Sequence, residues 1–200
     1  MKVLCLLSGG IDSPVASYLM HKANAKISFI HFQNNTLETT SVKDKVEKLV
    51  SILPKGKLFI IPFEKIQQNI IMNVPAKYRM LLYKRFMLKI AERIAKDKEY
   101  DALVTGDSLA QVASQTVENI EAIYSAVKIP ILTPLLGMDK QEIVDLAKKI
   151  GTYETSILPY DDCCSLFISK SPETKAKERD MLRFESLLDE NLIEQSTNYD

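Results

Sequence analysis

The chain has 200 residues, of which 46% are hydrophobic, and its 26 Lys and Arg residues balance its 26 Asp and Glu residues. This length suits a single α/β domain with a sizeable core and leaves too little chain for a second full domain. A formal net charge of zero excludes a globally basic nucleic-acid binder, so any RNA-binding surface has to be local. Since no apolar run approaches the length of a membrane span, and no signal-like segment opens the chain, we expect a soluble, cytoplasmic protein.

The first residues join an apolar strand to a helix through two consecutive glycines. The apolar run at 3–7 is typical of a strand that is buried on both faces of a parallel sheet. Gly9 and Gly10 allow a sharp turn and a close approach of a ligand to the main-chain N–H groups. Ser13 can cap a helix that begins at Pro14. Strand, glycine turn and helix N-terminus together predict an anion-binding site, although neither a Walker A loop nor a GxGxxG fingerprint is present.

Strands alternate with helices along the rest of the chain. Further strands are predicted at 27–32, 58–61, 102–105 and 131–135. Helices are predicted at about 41–53, 64–72, 77–96, part of 109–128, 139–150 and 173–192. This alternation implies right-handed βαβ units, so we predict an α/β fold: a Rossmann-like three-layer sandwich whose sheet has about five mostly parallel strands, with helices on both faces. We expect residues 193–200 to fray.

Two of the predicted helices have informative side chains. Asp139 and Glu142 have the spacing of a capping box, and Gly151 is a typical helix stop. The helix at 77–96 carries many cations on one side against a single acid, Glu92. Both a solvated basic face and an RNA-binding face remain open for that helix. The cations are Lys77, Arg79, Lys84, Arg85, Lys89, Arg93 and Lys96.

The three cysteines do not have the number or spacing of a disulfide framework or a zinc site. Cys5 lies inside the first predicted strand and is interpreted as a small buried hydrophobe. Cys163 and Cys164 are adjacent in a predicted loop, which favours reactive thiols in a reducing compartment.

Several motifs carry a resemblance to a known family. The sequence SGGIDS at 8–13 resembles the SGGxDS signature of PP-loop ATP pyrophosphatases, which cleave ATP between the α and β phosphates and leave AMP on the substrate. The sequence TGDSLAQVASQT at 105–116 resembles the TGExxGQVxSQT segment of the tRNA 4-thiouridine synthetase (ThiI) family. The resemblance continues in collinear order through ILTPL at 131–135, DK at 139–140, PYDDCC at 159–164 and ISKSP at 168–172.

The resemblance implies a fold of the adenine nucleotide alpha hydrolase type and an ATP-dependent transferase active in tRNA modification and thiamine biosynthesis. In that family, O4 of a uridine in tRNA is adenylated, and sulfur carried as a cysteine persulfide replaces AMP. The implied catalytic residues are Asp12, Lys140 and one of Cys163 and Cys164. The implied ATP contacts are Leu6, Leu7, His31, Phe32, Lys84, Gly106 and Gln115, to which the PP-loop adds Ser8, Gly9, Gly10, Asp12 and Ser13.

The chemistry of these residue types agrees with such roles. Lys84 and Lys140 can neutralise charge on the leaving pyrophosphate, and Asp12 can share a Mg²⁺ ion with phosphates and water. Asp161 and Asp162 oppose formation of a thiolate next to them. The residues leave open which of the two adjacent cysteines reacts.

Typical family members also carry a ferredoxin-like region and a THUMP domain that hold the tRNA. Because the first strand starts at residue 2, we expect this chain to lack both. Binding of tRNA then requires a separate THUMP-type chain, or the helix at 77–96 together with the segment 170–183. A persulfide sulfur donor is a further expected partner, and an oligomer is possible.

Two other functions stay open. One is a PP-loop adenylating enzyme that acts on a small-molecule acceptor, and the other is a non-catalytic nucleotide-binding subunit of a THUMP-containing partner. Dependence of ATP turnover on tRNA separates the first from a tRNA sulfurtransferase. Binding of ATP without release of AMP identifies the second.

Overall fold

The computed structural model describes residues 1–34, 40–109, 111–159, 169–189 and 191–197. Within this part of the chain, five strands form one sheet in the order β3-β2-β1-β4-β5, and every neighbouring pair is parallel. The strands are β1 (Lys2–Leu6), β2 (Lys26–Gln33), β3 (Leu58–Pro62), β4 (Ala102–Val104) and β5 (Ile131–Leu132). The predicted α/β architecture is confirmed, with a last strand that is shorter than expected.

Helices cover both faces of the sheet. They are α1 (Asp12–Lys22), α2 (Thr40–Ile52), α3 (Glu64–Asn73), α4 (Ala76–Asp97), α5 (Val117–Tyr124), α6 (Lys140–Ile150), α7 (Tyr153–Ser156), α8 (Glu178–Glu185) and α9 (Asn191–Thr197). None of these described helices is long and apolar enough to cross a membrane.

Strand β1 has core on both sides, which explains its unbroken apolar run. Leu4 belongs to the apolar cluster that α3, α4 and α5 help to form. Val3 and Cys5 belong to a second cluster, which includes residues of α1, α2 and α6. The central strand is therefore buried from both faces, as expected for a parallel sheet.

The capping box of α6 is confirmed. The Asp139 carboxylate accepts a hydrogen bond from the Glu142 N–H at 2.8 Å, and the Asp139 N–H donates to the Glu142 carboxylate at 2.8 Å. Gly151 follows the helix with a φ of 81°, a conformation in which a residue with a Cβ would be strained.

The prediction of one continuous helix over 173–192 is wrong. The Glu173 carboxylate accepts from the N–H groups of Thr174 and Lys175, which holds this part of the chain in a turn, and α8 begins only at Glu178. Asp189 accepts from the N–H of Asn191 and so separates the start of α9 from α8.

The tail for which fraying is predicted, 193–200, is helical in its first part, since α9 extends to Thr197. Leu192 and Ser196 are buried, so packing against the rest of the protein holds this helix in place. Residues 198–200 lie outside the described part of the chain.

The cations of α4 do not form an open basic face, because each has a partner in the structure. Arg85 is only 1% exposed and donates from Nε to Glu185 at 2.8 Å, while Lys89 lies 2.8 Å from the same carboxylate. Other acids pair with Lys77, Lys84, Arg93 and Lys96, and Arg79 donates to main-chain carbonyls. The C-terminal segment thus supplies much of the charge that neutralises α4.

The pairing of Arg85 with Glu185 should be essential for stability. We expect Glu185→Ala to lower the free energy of unfolding by about 3 kcal/mol, because it leaves a buried guanidinium without its carboxylate. The matched control is Glu194→Ala, which removes an exposed partner of Arg93 and should cost less than about 1 kcal/mol. Urea unfolding of both variants measures the difference, and equal losses would contradict this role of Glu185.

The same pair should make stability depend on pH. Burial alone would raise the pKa of Glu185, but hydrogen bonds and charge from Arg85 and Lys89 outweigh it and lower that pKa. A lowered pKa stabilises the fold above the ordinary carboxyl value of about 4.3 and loses that effect as pH falls through the folded value. The stability difference between the wild type and Glu185→Ala should therefore be constant near neutral pH and shrink below about pH 4.

Candidate active site

A cavity of about 330 Å³ opens at the carboxyl edge of the sheet, next to the ends of β1, β2 and β4. The chain runs from β1 to β2 and β3 on one side of the sheet, and β4 and β5 lie on the other side of β1. The cavity therefore lies where the strand order reverses, which is the usual ligand site in open α/β sheets.

The structure brings the predicted ATP contacts together. Apart from Gly9, which lies in the same loop, they all line this one cavity: Leu6, Leu7, Ser8, Gly10, Asp12, Ser13, His31, Phe32, Lys84, Gly106 and Gln115. They come from segments far apart in the sequence, namely the loop after β1, the end of β2, helix α4 and the segment after β4.

The glycine loop is closed by its own serine hydroxyls. The Ser8 N–H donates to Ser13 Oγ at 2.8 Å, and the Gly10 N–H donates to Ser8 Oγ at 3.2 Å. The prediction that Ser13 caps a helix starting at Pro14 is wrong: α1 starts at Asp12, and no side chain caps it. These two N–H groups would have to exchange their loop partners before they could hold a phosphate.

Gly106 permits a close contact between the end of β4 and the start of α1. A Cβ atom at this position would lie 2.8 Å from the backbone N of Ser13 and 2.9 Å from its Cα, closer than such atoms approach in proteins. Only glycine fits there without a shift of the backbone. This contact places the segment after β4 directly beside the PP-loop.

Asp107 is central to the site, and only 8% of the residue is exposed. Its Oδ1 accepts from Lys84 Nζ at 2.7 Å and from Gln115 Nε2 at 3.2 Å, and its Oδ2 accepts from the Tyr124 hydroxyl at 2.9 Å. Burial would raise the pKa of Asp107, but the Lys84 charge and these hydrogen bonds outweigh it and lower the pKa. Asp107 is therefore ionised at neutral pH.

Tyr124 completes this network. Its pKa is raised by burial and by the neighbouring Asp107 charge, so its hydroxyl stays protonated and donates to the carboxylate. Thr105 Oγ1 lies 2.8 Å from the same hydroxyl and, with that proton committed to Asp107, acts as the donor. Sequence reasoning missed both Asp107 and Tyr124 as site residues. The signal for Asp107 was present, since an acid directly after a buried strand lies at the edge where ligands bind.

Two predicted catalytic residues contact each other. Lys140, the first residue of α6, lies with its Nζ 2.6 Å from Oδ1 of Asp12, the first residue of α1. Their side chains are 51% and 26% exposed. An ion pair this accessible to water contributes little stability, so a ligand can replace either partner at low cost.

His31 and Phe32 contribute a buried wall. The His31 Nδ1 donates to the Leu7 carbonyl at 2.9 Å, because a carbonyl can only accept, and this orients the ring. Phe32 packs edge-on against Phe63 with ring centroids 5.6 Å apart. Both side chains are nearly fully buried and line the cavity beside the PP-loop.

The cysteine pair lies outside the described residues, as do Tyr160, Asp161 and Asp162. The chain just before them is anchored by Lys45, a buried lysine that donates to the carbonyls of Ser156 and Leu158 at 2.9 and 2.8 Å. Cys5 is buried in β1, and burial raises its pKa to about 12, as suits an unreactive thiol.

No cluster of three or more His, Cys, Asp or Glu side chains that could hold a metal ion occurs among the described residues. Asp12 is the predicted metal ligand, and it lines the cavity. An ion held there would take its other ligands from phosphates and water, an arrangement that Mg²⁺ readily accepts.

Comparisons with known proteins show which chains this one resembles. A "Probable tRNA sulfurtransferase" from Thermus thermophilus is 45% identical over 191 residues, which cover 94% of this chain and 47% of that protein. A protein of the same description from Alkaliphilus metalliredigens is 47% identical over 198 residues, which cover 96% and 50%. The chain thus spans about half the length of the curated relatives it matches.

A solved structure shows the same fold. The crystal structure of a 4-thiouridine synthetase–RNA complex with bound ATP superposes with a TM-score of 0.92 at 37% identity, covering 98% of this chain and 53% of that chain. The family model "Thiamine biosynthesis protein (ThiI)" matches residues 1–189. On the strength of this match over nearly its whole length, the chain belongs to the ThiI family.

Proposed function

We propose that residues 1–200 are the PP-loop ATP-binding catalytic domain of a cytoplasmic tRNA sulfurtransferase of the 4-thiouridine type. The reaction adenylates a uridine carbonyl, releases pyrophosphate and then replaces AMP with sulfur. The observation that carries the proposal is the convergence of the PP-loop, Lys84 and Gln115 on one cavity. The similarity to proteins described as tRNA sulfurtransferases supports the choice of tRNA as acceptor.

The cavity suits an adenine nucleotide. Its volume of about 330 Å³ lies within the range of small-molecule sites, and it combines an apolar wall with a polar end. Phe32, Met87 and Leu88 supply apolar surface for a base. The buried Oε1 of Gln115 has no hydrogen-bond partner among the described residues, so it fits a donor such as the adenine amino group or a ribose hydroxyl.

The polar end can stabilise a departing pyrophosphate. Negative charge grows on this group as the bond between the α and β phosphates breaks, and a preorganised ammonium group is most effective at such a position. Lys84 is fixed by Asp107, whereas Lys140 can leave its exposed pair with Asp12. Asp12 would then share Mg²⁺ with the phosphates, and the ion would supply further neutralising charge.

Sulfur transfer is assigned to Cys163 or Cys164 as the carrier of a persulfide from an external donor. The outer persulfide sulfur would displace AMP, and an external thiol reductant would supply the two electrons that break its bond to the cysteine sulfur. Cys5 does not suit this role, because it is buried in β1 with a raised pKa. The segment that carries the pair follows Pro159, just after the residues that Lys45 anchors. This anchor holds the described residues that precede the segment.

Binding of tRNA is assigned mainly to a separate THUMP-type chain or region. The cations of α4 are paired with acids such as Glu173 and Glu185, so this helix has little free charge for a phosphate backbone. Backbone phosphates are normally bound by Lys and Arg side chains that release counterions. The segment 170–183 carries further exposed cations and remains a candidate for a local contact.

The test of the proposed function is turnover of radiolabelled ATP with sulfide and Mg²⁺, with and without unmodified tRNA and with a THUMP-type chain added. We expect AMP and pyrophosphate in equal amounts that depend on tRNA, and 4-thiouridine in the digested tRNA. Release of AMP that ignores tRNA would contradict the tRNA acceptor and favour a small-molecule substrate. Binding of ATP without AMP under all conditions would favour a non-catalytic subunit.

Lys84→Met should lower kcat/KM for ATP by about a hundredfold, because one preorganised cation is lost at the site of growing charge. Lys96→Met is the matched control on the same helix, since Lys96 is an exposed lysine remote from the cavity lining. Thermal unfolding of both variants guards against misfolding. An equal effect of the two substitutions would contradict the assignment of Lys84.

Replacement of the reacting cysteine by serine should abolish formation of 4-thiouridine from a persulfide donor, while ATP binding persists. Cys163→Ser and Cys164→Ser are compared singly and together, with Cys5→Ala as a control that should change stability but not sulfur transfer. Retention of thiolation in the double variant would overturn the proposed role of this pair.

A further inference from the structure

We infer that Asp107 is a positioning residue for ATP, which holds Lys84 and Gln115 at the nucleotide pocket without reacting itself. This inference rests on the proposed function, since it assumes that the cavity binds ATP. Asp107 is not among the ATP contacts that the family resemblance implies. Its position between two of those contacts is what the structure adds.

One oxygen atom of Asp107 ties two separate elements together. Oδ1 accepts from Lys84 on α4 at 2.7 Å and from Gln115, in the 3-10 turn at Ala113–Gln115, at 3.2 Å. Lysine has a long flexible side chain, and ordering it only when ATP binds would reduce affinity. Asp107 orders the ammonium group in advance.

The other oxygen of Asp107 is held by Tyr124, which also lines the cavity. Oδ2 accepts from the Tyr124 hydroxyl at 2.9 Å, and Thr105 Oγ1 lies 2.8 Å from that hydroxyl. With Oδ2 fixed, the plane of the carboxylate is fixed, and so is the direction in which Oδ1 faces its two donors. A chain of hydrogen bonds thus runs from Thr105 through Tyr124 and Asp107 to Lys84.

The negative charge of Asp107 allows a positioning role to be distinguished from simple electrostatic repulsion of ATP. A buried carboxylate beside a pocket for a polyanion repels that ligand, so simple electrostatics predicts tighter ATP binding when it is neutralised. A positioning role predicts the opposite, because Lys84 and Gln115 lose their common acceptor. The two explanations therefore differ in the sign of one measurable effect.

The experiment is calorimetric titration of the full chain with ATP in the presence of Mg²⁺. Asp107→Asn and Asp107→Ala should raise the Kd by about tenfold, because the ordering of Lys84 and Gln115 then falls on the binding step. Asp107→Glu keeps the charge and should bind ATP more tightly than either. Unchanged or tighter binding by both neutral variants would overturn the inference.

Substitutions of Tyr124 and Thr105 test the chain of hydrogen bonds. Tyr124→Phe should raise the Kd by about threefold, and adding Thr105→Val should change it little further, since both act through Oδ2. Tyr100→Phe is the matched control, because Tyr100 precedes β4 at the opposite end of that strand from the cavity. Effects that are fully additive, or equal for the two Tyr→Phe variants, would contradict the inference.

The outcomes also separate this inference from the proposed function. If the wild-type chain itself fails to bind ATP, the proposed function fails. If the wild type binds ATP and both neutral variants bind as well or better, only the role of Asp107 fails. In turnover assays the variants should raise KM for ATP and also lower kcat, because a displaced Lys84 no longer meets the charge that grows on the departing pyrophosphate. Thermal unfolding shows whether a loss reflects the fold instead.

Discussion

Helix α4 carries two adjacent cations into the protein, and carboxylates from distant parts of the chain neutralise both. Lys84 lines the cavity at the carboxyl edge of the sheet and pairs with Asp107 after β4, whereas Arg85 is buried beside Glu185 of α8. A buried cation without its partner costs several kcal/mol, so each pairing restricts where the other element can lie. The first pairing organises the site, and the second attaches the C-terminal segment to the domain.

This arrangement changes the meaning of the basic stretch at 77–96. In the sequence its cations suggest either a solvated face or a surface for RNA, because Glu92 is the single acid within 77–96. In the structure four of these cations pair with acids about a hundred positions away, namely Glu173, Glu185 and Glu194. Charge patterning reports an element's composition, but only the tertiary fold shows whether the charge is available to a ligand.

The sequence predicts best those structural features that neighbouring residues determine. The five strands, the capping box at Asp139 and the glycine stop at Gly151 all depend on neighbouring residues. The predicted helix cap at Ser13 is wrong because its hydroxyl accepts from the Ser8 N–H instead, a contact that depends on how the loop folds back. The helix predicted over 173–192 is interrupted for a similar reason: the carboxylates of Glu173, before α8, and Asp189, before α9, accept from nearby main-chain N–H groups and override the helical pattern.

The site contains two lysine–carboxylate pairs whose side chains differ in exposure to water. This difference suits the two pairs to different roles. The pair of Lys84 with Asp107 is largely buried and tied into a network, so it favours a fixed position for the ammonium group. The pair of Lys140 with Asp12 is open to water and easily exchanged. A site of this kind can hold a nucleotide against one fixed cation while the exchangeable pair rearranges around the phosphates. The PP-loop, with its N–H groups engaged by its own serines, belongs to the exchangeable part.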